Sequence, residues 1–172
     1  KEWQKRMGAK AGGLVIMNIH NGEIIALASS PDFDANKERS GSRKNKDASI
    51  YFNRVVQGVY EMGSTFKIFP VAQGLEKGLF KLDSLIDTRP FKISSKKIED
   101  KYKFDNKSSV NEIIVRSSNV GAAKISLMVG EMGLKEIFST LGLLEPVNLE
   151  LKEANLTQPI IPKNWQDISL AT

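Results

Sequence analysis

A chain of 172 residues is one ordinary domain or a large piece of one, and 41% hydrophobic with 26% charged residues can bury a core, which excludes disordered and fibrous classes. It has no Cys and one His, so disulfides, thiolate nucleophiles, Cys-based zinc sites, His-pair metal sites and any Ser-His-Asp triad not using His20 are excluded. The net charge of +5 invites a nucleic-acid reading, but much of the excess sits between Lys37 and Lys46, in loop composition without interleaved aromatics, so a solvated loop is expected instead.

No apolar run approaches the roughly 20 residues that cross a bilayer, and the opening Lys1 to Lys10 is not a signal peptide. From Gly13 to Ser29 two apolar runs flank Asn21-Gly22, a strong hairpin signal, and the pattern predicts two antiparallel strands over 13–29. Both strands are apolar at nearly every position, so a sheet covered on both faces is expected. His20 falls at the hairpin tip, an exposed turn residue. The basic loop follows over about 35–48.

Gly63 breaks the next stretch, and Ser64 is a favourable helix-starting residue. Phe66, Ile68, Phe69, Val71, Ala72 and Leu75 then supply the apolar faces of a helix over 64–77, which Gly78 stops. Pro70 lies deep in that helix and should bend it or remove one backbone hydrogen bond. Residues 79–107 read as an irregular excursion with short strands near 91–93 and 102–104. Ser109-Val110-Asn111-Glu112 has the capping-box pattern and opens a helix that ends near Arg116 to Asn119. A second helix is expected over about 120–129, a short amphipathic segment over 134–141, and a strand over 148–151; the helical part as a whole covers 109–142.

With no Cys and one His at a turn, a nucleophile would be Ser or Thr with Lys as base, or a carboxylate. Ser64 and Lys67 stand three apart at a helix start, where both side chains share one face of the first turn and free backbone N–H groups favour a nearby oxyanion. The spacing alone is weak, since 16 Ser and 19 Lys predict roughly two chance Ser-x-x-Lys matches and the chain has two. The other, Ser94/Lys97, lies in a lysine-rich polar stretch and reads as surface loop. Ser-x-Asn also occurs twice. Ser109/Asn111 is better explained as a cap, whereas Ser117-Ser118-Asn119 falls between two helices, where a loop can turn a hydroxyl and an amide toward a pocket.

Three blocks, AKAGGLVIMNIHNGEIIALASSPDFDAN, NRVVQGVYEMGSTFK and RSSNVGAAKISLMVG, stand in an order and spacing that resembles the first part of the transpeptidase domain of class B penicillin-binding proteins, most similar to the septal, division-specific type. The resemblance covers nearly the whole chain. It implies an α+β fold of the penicillin-binding-protein/β-lactamase kind, with helices packed on an antiparallel sheet and with residues 1–172 forming the amino-terminal portion of one domain. It implies that Ser64 is the acylated nucleophile, that Lys67 takes its proton, that Ser117 relays a proton to the leaving amine, and that Asn119 holds Lys67 and meets the substrate amide. Gly63 and Ser118 are the expected substrate-binding neighbours. For Lys67 to act as a base, its pKa must be lowered by burial and a neighbouring positive charge.

The resemblance further implies peptidoglycan stem peptides ending in D-Ala-D-Ala, β-lactams and other cell-division proteins as partners. It implies no metal and no organic cofactor, and a place on the periplasmic face of the inner membrane through an anchor absent from this chain. Two departures matter. The family's Lys-Thr/Ser-Gly element after Ser-x-Asn has no match here; Arg39-Ser40-Gly41 precedes Ser64 and is rejected. The later strands that carry that element are absent as well, so this chain alone is expected to be inactive. Met62 also stands where many relatives have Pro, which alters only the entry to the helix. A serine β-lactamase and a non-catalytic sensor or scaffold of the same ancestry are the alternatives; Asp87, Glu99, Asp100 and Asp105 form no recognisable β-lactamase signature.

Overall fold

The structure, a computed structural model, describes residues 2–34, 48–154, 157–162 and 165. Most of the basic loop, including Arg39-Ser40-Gly41, lies outside the described residues. The chain is α+β and divides into two compact units, Lys1–Val59 with Pro146–Gln158, and Tyr60–Glu145 with Pro159–Thr172.

The first unit is built on a hairpin. Strand β1 (Gly12–Met17) pairs antiparallel with β2 (Ile24–Ser30), with Gly12 opposite Ser30 and an irregularity at Ile16/Met17. The connection is longer than a two-residue turn. Asn18 closes it, its N–H donating to Glu23 O at 2.8 Å and its carbonyl accepting from Gly22 at 2.8 Å, with Gly22 at φ 75°. His20 is exposed at that tip. The short helix α1 (Glu2–Arg6) and the segment around Asn53 are tied to β2. Ser30 Oγ donates to Gln4 Oε1 at 2.7 Å, and Ser29 Oγ accepts from Arg54 N–H at 3.1 Å. The expectation of a sheet covered on both faces is not met by the described residues: Leu14, Val15, Ile16 and Met17 are all exposed. Residues 148–151 form no strand; they run through a bend held by no ladder.

The second unit carries the longer helices. A 3-10 turn over Gly63–Lys67 leads into α2 (Ile68–Glu76), and Gly78 at φ 66° ends it. Because α2 begins only at Ile68, Pro70 lies in its first turn, where backbone N–H groups have no intrahelical partner, and the awkward interior proline disappears. Three-residue strands follow: β3 (Leu85–Asp87), β4 (Phe91–Ile93), β5 (Lys96–Ile98) and β6 (Lys107–Ser109). They pair as β4–β5 and β3–β6, both antiparallel. The strand expected at 102–104 is replaced by β5 and β6, which flank it.

Ser109 caps α3 (Val110–Val115), its Oγ accepting from Glu112 N–H at 3.1 Å. Helix α4 (Asn119–Thr140) is broken at Gly130, whose φ 71° and ψ 177° are not helical, so it consists of two helical segments joined at a kink. The core of this unit falls into two small clusters. Val71, Phe80, Ile86, Val110, Ile113 and Ile125 are buried together, and Ile98, Val120 and Ala123 form a second cluster against Phe91. Two glycines allow these close approaches: a Cβ on Gly74 would lie 2.1 Å from the Phe80 ring, and one on Gly121 would lie 2.6 Å from Ile113.

Candidate active site

Ser64 was expected to cap a helix, but it sits one residue inside the 3-10 turn, and the position before that turn, Met62, makes no side-chain cap bond. Gly63, at φ 55°, turns the chain into it through a backbone conformation that strains any residue with a Cβ. Thr65 pins the turn from the other side, donating from Oγ1 to Met62 O at 2.6 Å. Phe66 packs edge-on to Phe69 at 5.1 Å, and both rings meet Phe138, which in turn lies 6.0 Å from Trp165. The turn therefore rests on an aromatic stack. Ser64 is exposed, and among the described residues its hydroxyl makes no hydrogen bond, to Lys67 or to any other group.

The second half of the site comes from the connection between α3 and α4. Ser117 N–H donates to Ile114 O at 3.1 Å and Ser118 N–H to Ile113 O at 2.9 Å, the double bond of a Schellman helix end. Glycine commonly fills the left-handed position of that motif; here Ser117 does, at φ 57°. This costs backbone strain and fixes where a hydroxyl and a carbonyl point.

Both point at Lys67. Its Nζ donates to Ser117 O at 2.8 Å, lies 3.0 Å from Ser117 Oγ, and donates to Asn119 Oδ1 at 2.7 Å. Asn119 Nδ2 donates to Glu99 O at 3.2 Å, which fixes the amide so that its oxygen faces the lysine. Two of the three partners only accept, whereas Ser117 Oγ can accept or donate. An ammonium satisfies all three with its protons, and a neutral amine satisfies two and accepts from Ser117. The arrangement thus fits either charge state without orphaning a donor.

Burial pushes the Lys67 pKa below the ordinary lysine value of 10.5, and the Asp100 carboxylate pulls it partly back up. Burial is as expected. The neighbouring charge is not, since it is an anion and not a cation.

Ser118 departs from its expected place beside substrate. It is fully buried, its Oγ donating to Asp100 Oδ2 at 2.8 Å and accepting from Gly121 N–H at 2.9 Å, so it braces the turn. Asp100 was not singled out as part of the site, and no local pattern marks it, because its partners lie 18 to 20 positions further on. Ser94 and Lys97 sit on the β4–β5 hairpin, with Lys97 paired to Glu99 at 2.5 Å, and among the described residues neither side chain bonds to Lys67, Ser117 or Asn119. Among the described residues no group of three His, Cys, Asp or Glu is placed to hold a metal ion, and no helix is long and apolar enough to cross a membrane.

Comparison with known proteins places these residues in context. The family model for the penicillin binding protein transpeptidase domain matches residues 12–172. A probable peptidoglycan D,D-transpeptidase FtsI from Caulobacter vibrioides is 36% identical over 159 residues, 92% of this chain and 26% of the relative. The peptidoglycan D,D-transpeptidase FtsI of Escherichia coli K12 is 30% identical over 164 residues, 95% of this chain and 27% of the relative. The apo transpeptidase domain of Burkholderia pseudomallei penicillin-binding protein 3 superposes with a TM-score of 0.78 at 26% identity, over 98% of this chain and 45% of that one. The chain thus spans about a quarter of the length of these curated relatives. With a family model matched over all but its first eleven residues, and with relatives of this kind, the chain belongs to the penicillin-binding-protein transpeptidase domain family.

Proposed function

We propose that this chain contributes the acylation half of a peptidoglycan D,D-transpeptidase of the division type. The observation that carries the reading is Lys67 Nζ held at 2.7–3.0 Å by Ser117 and Asn119, one turn after an exposed, unbonded Ser64 hydroxyl. Ser64 Oγ attacks the carbonyl of the penultimate D-Ala of a stem peptide while its proton passes to neutral Lys67. The tetrahedral oxyanion forms beside the 3-10 turn, where the Ser64 N–H is one donor. When the C–N bond breaks, Lys67 returns the proton through Ser117 Oγ to the departing D-Ala amine. An amine of a second stem peptide then attacks the ester, losing its proton back along the same route, and Ser64 is regenerated.

In this reading Asn119 fixes Lys67 and offers its remaining amide proton to substrate. Gly63 faces open space, so a substrate can approach its backbone closely. Ser118 acts by bracing the turn. β-Lactams, which resemble the terminal dipeptide, would acylate Ser64 and leave slowly. The periplasmic face of the inner membrane and contact with other cell-division proteins belong to the same reading, as does the view that both units are parts of one transpeptidase domain, with no cofactor required.

The test is D-Ala release from a peptide ending in D-Ala-D-Ala, with transfer to an added amine, by the whole protein that contains this chain. Release that disappears in Ser64→Ala supports the reading. Release that survives that substitution contradicts it. Rapid turnover of a chromogenic cephalosporin would favour a β-lactamase instead.

A further inference from the structure

We propose that Asp100 is a positioning residue for acylation, its carboxylate clamping the first turn of α4 and so holding Ser117 and Asn119 against Lys67; this rests on the acyl-transfer reading above. The four free N–H groups at the start of a helix need acceptors. At α4 all four find them: Ser118 donates to Ile113 O at 2.9 Å, Asn119 and Val120 donate to Asp100 Oδ1, the latter at 3.1 Å, and Gly121 donates to Ser118 Oγ at 2.9 Å. Asp100 Oδ2 takes the Ser118 hydroxyl proton at 2.8 Å. One carboxylate thus accepts from three consecutive residues, two of them in the Ser117-Ser118-Asn119 stretch.

Ser118 is 0% exposed. Without the carboxylate its hydroxyl and two helix-end N–H groups lose their acceptors, and the turn must shift to recover others. Because Ser117 and Asn119 flank Ser118 directly, any such shift moves the two side chains that hold Lys67. A displacement of about 1 Å at a reacting group can lower a rate about 10²-fold.

The carboxylate also acts through its charge. On the segments that carry Asp100, Ser117 and α4, Glu99 is paired with Lys97 at 2.5 Å, Lys101 lies over the Tyr102 ring, Arg116 is paired with Glu112 at 2.5 Å, and Lys124 is 3.3 Å from Asp87. Asp100 forms no ion pair among the described residues, and its charge favours the Lys67 ammonium. Comparing two substitutions therefore separates the charge from the brace. Asp100→Asn removes the charge and, although it keeps an oxygen for the Asn119 and Val120 N–H groups, presents an NH2 where the Ser118 hydroxyl needs an acceptor, so it loosens the clamp as well. Ser118→Ala keeps the charge and removes the brace.

The experiment is the pH profile of acylation by a fluorescent penicillin in the whole protein, for wild type and both variants. Asp100→Asn should lower the plateau rate about 10- to 100-fold and move the acid limb to lower pH, because neutral Lys67 is reached sooner once the anion is gone. Ser118→Ala should lower the plateau without moving the limb. A wild-type protein that shows no Ser64-dependent labelling would overturn this role together with the acyl-transfer reading. Normal wild-type labelling with plateau and limb unchanged in Asp100→Asn would overturn the role of Asp100 alone.

Discussion

Lys67 and Ser117, 50 positions apart in sequence, meet twice: the lysine Nζ lies 2.8 Å from the serine carbonyl and 3.0 Å from its hydroxyl. The first contact holds the amine in place whatever its charge. The second is the path along which a proton can move, since only the hydroxyl can reverse its role.

The lysine must lose a proton to serve as a base, and burial makes this easier than in water. Acylation is therefore expected to rise with pH along the Lys67 titration, with a midpoint below the ordinary 10.5. The sign follows from desolvation, which penalises the ammonium and not the amine. Lys67→Arg keeps a cation but cannot deprotonate, and it should slow acylation about 10²- to 10⁴-fold at every accessible pH. Stopped-flow acylation across pH checks both statements.

Ser117 combines a reactive hydroxyl with a left-handed backbone at φ 57°. Replacing it with Gly relieves roughly 1 kcal/mol of backbone strain and removes the hydroxyl, whereas Ala removes the hydroxyl and keeps the strain. Both variants should lose acylation rate about 10²- to 10⁴-fold. Thermal melting should separate them, with Ser117→Gly higher than Ser117→Ala. Equal melting temperatures would contradict the account of the turn.

Gly121 lets α4 approach α3 because a Cβ there would overlap Ile113. Gly121→Ala is expected to destabilise by about 1–3 kcal/mol through overpacking, and to slow acylation by pushing the start of α4 away from Lys67. Adding Ile113→Ala should recover part of the rate, so that the double variant is faster than the two single losses combined would allow. Chemical denaturation and acylation rates on the cycle check the coupling.

How far the sequence disclosed this depends on the range of each signal. Ser109 was legible as a cap because the pattern and its hydrogen bond to Glu112 are three residues apart. Ser64, Lys67, Ser117 and Asn119 were legible as two short motifs, but their meeting rested on family resemblance, since nothing local brings residues 50 apart together. The Ser64 turn was misjudged in detail, because a 3-10 turn ahead of α2 starts that helix at Ile68 and moves Pro70 to a harmless place. The hairpin faces were misjudged as well, because apolar strands signal burial without saying which atoms cover them. Asp100 carried no signal at all: an acid in a polar loop becomes a helix clamp only when the chain folds back.

The most direct measurement is peptide mapping by mass spectrometry after brief exposure of the whole protein to benzylpenicillin. The account predicts one penicilloyl group per chain, carried by the peptide that contains Ser64 and absent from Ser64→Ala. An adduct on another residue, or none in a folded protein, would contradict it.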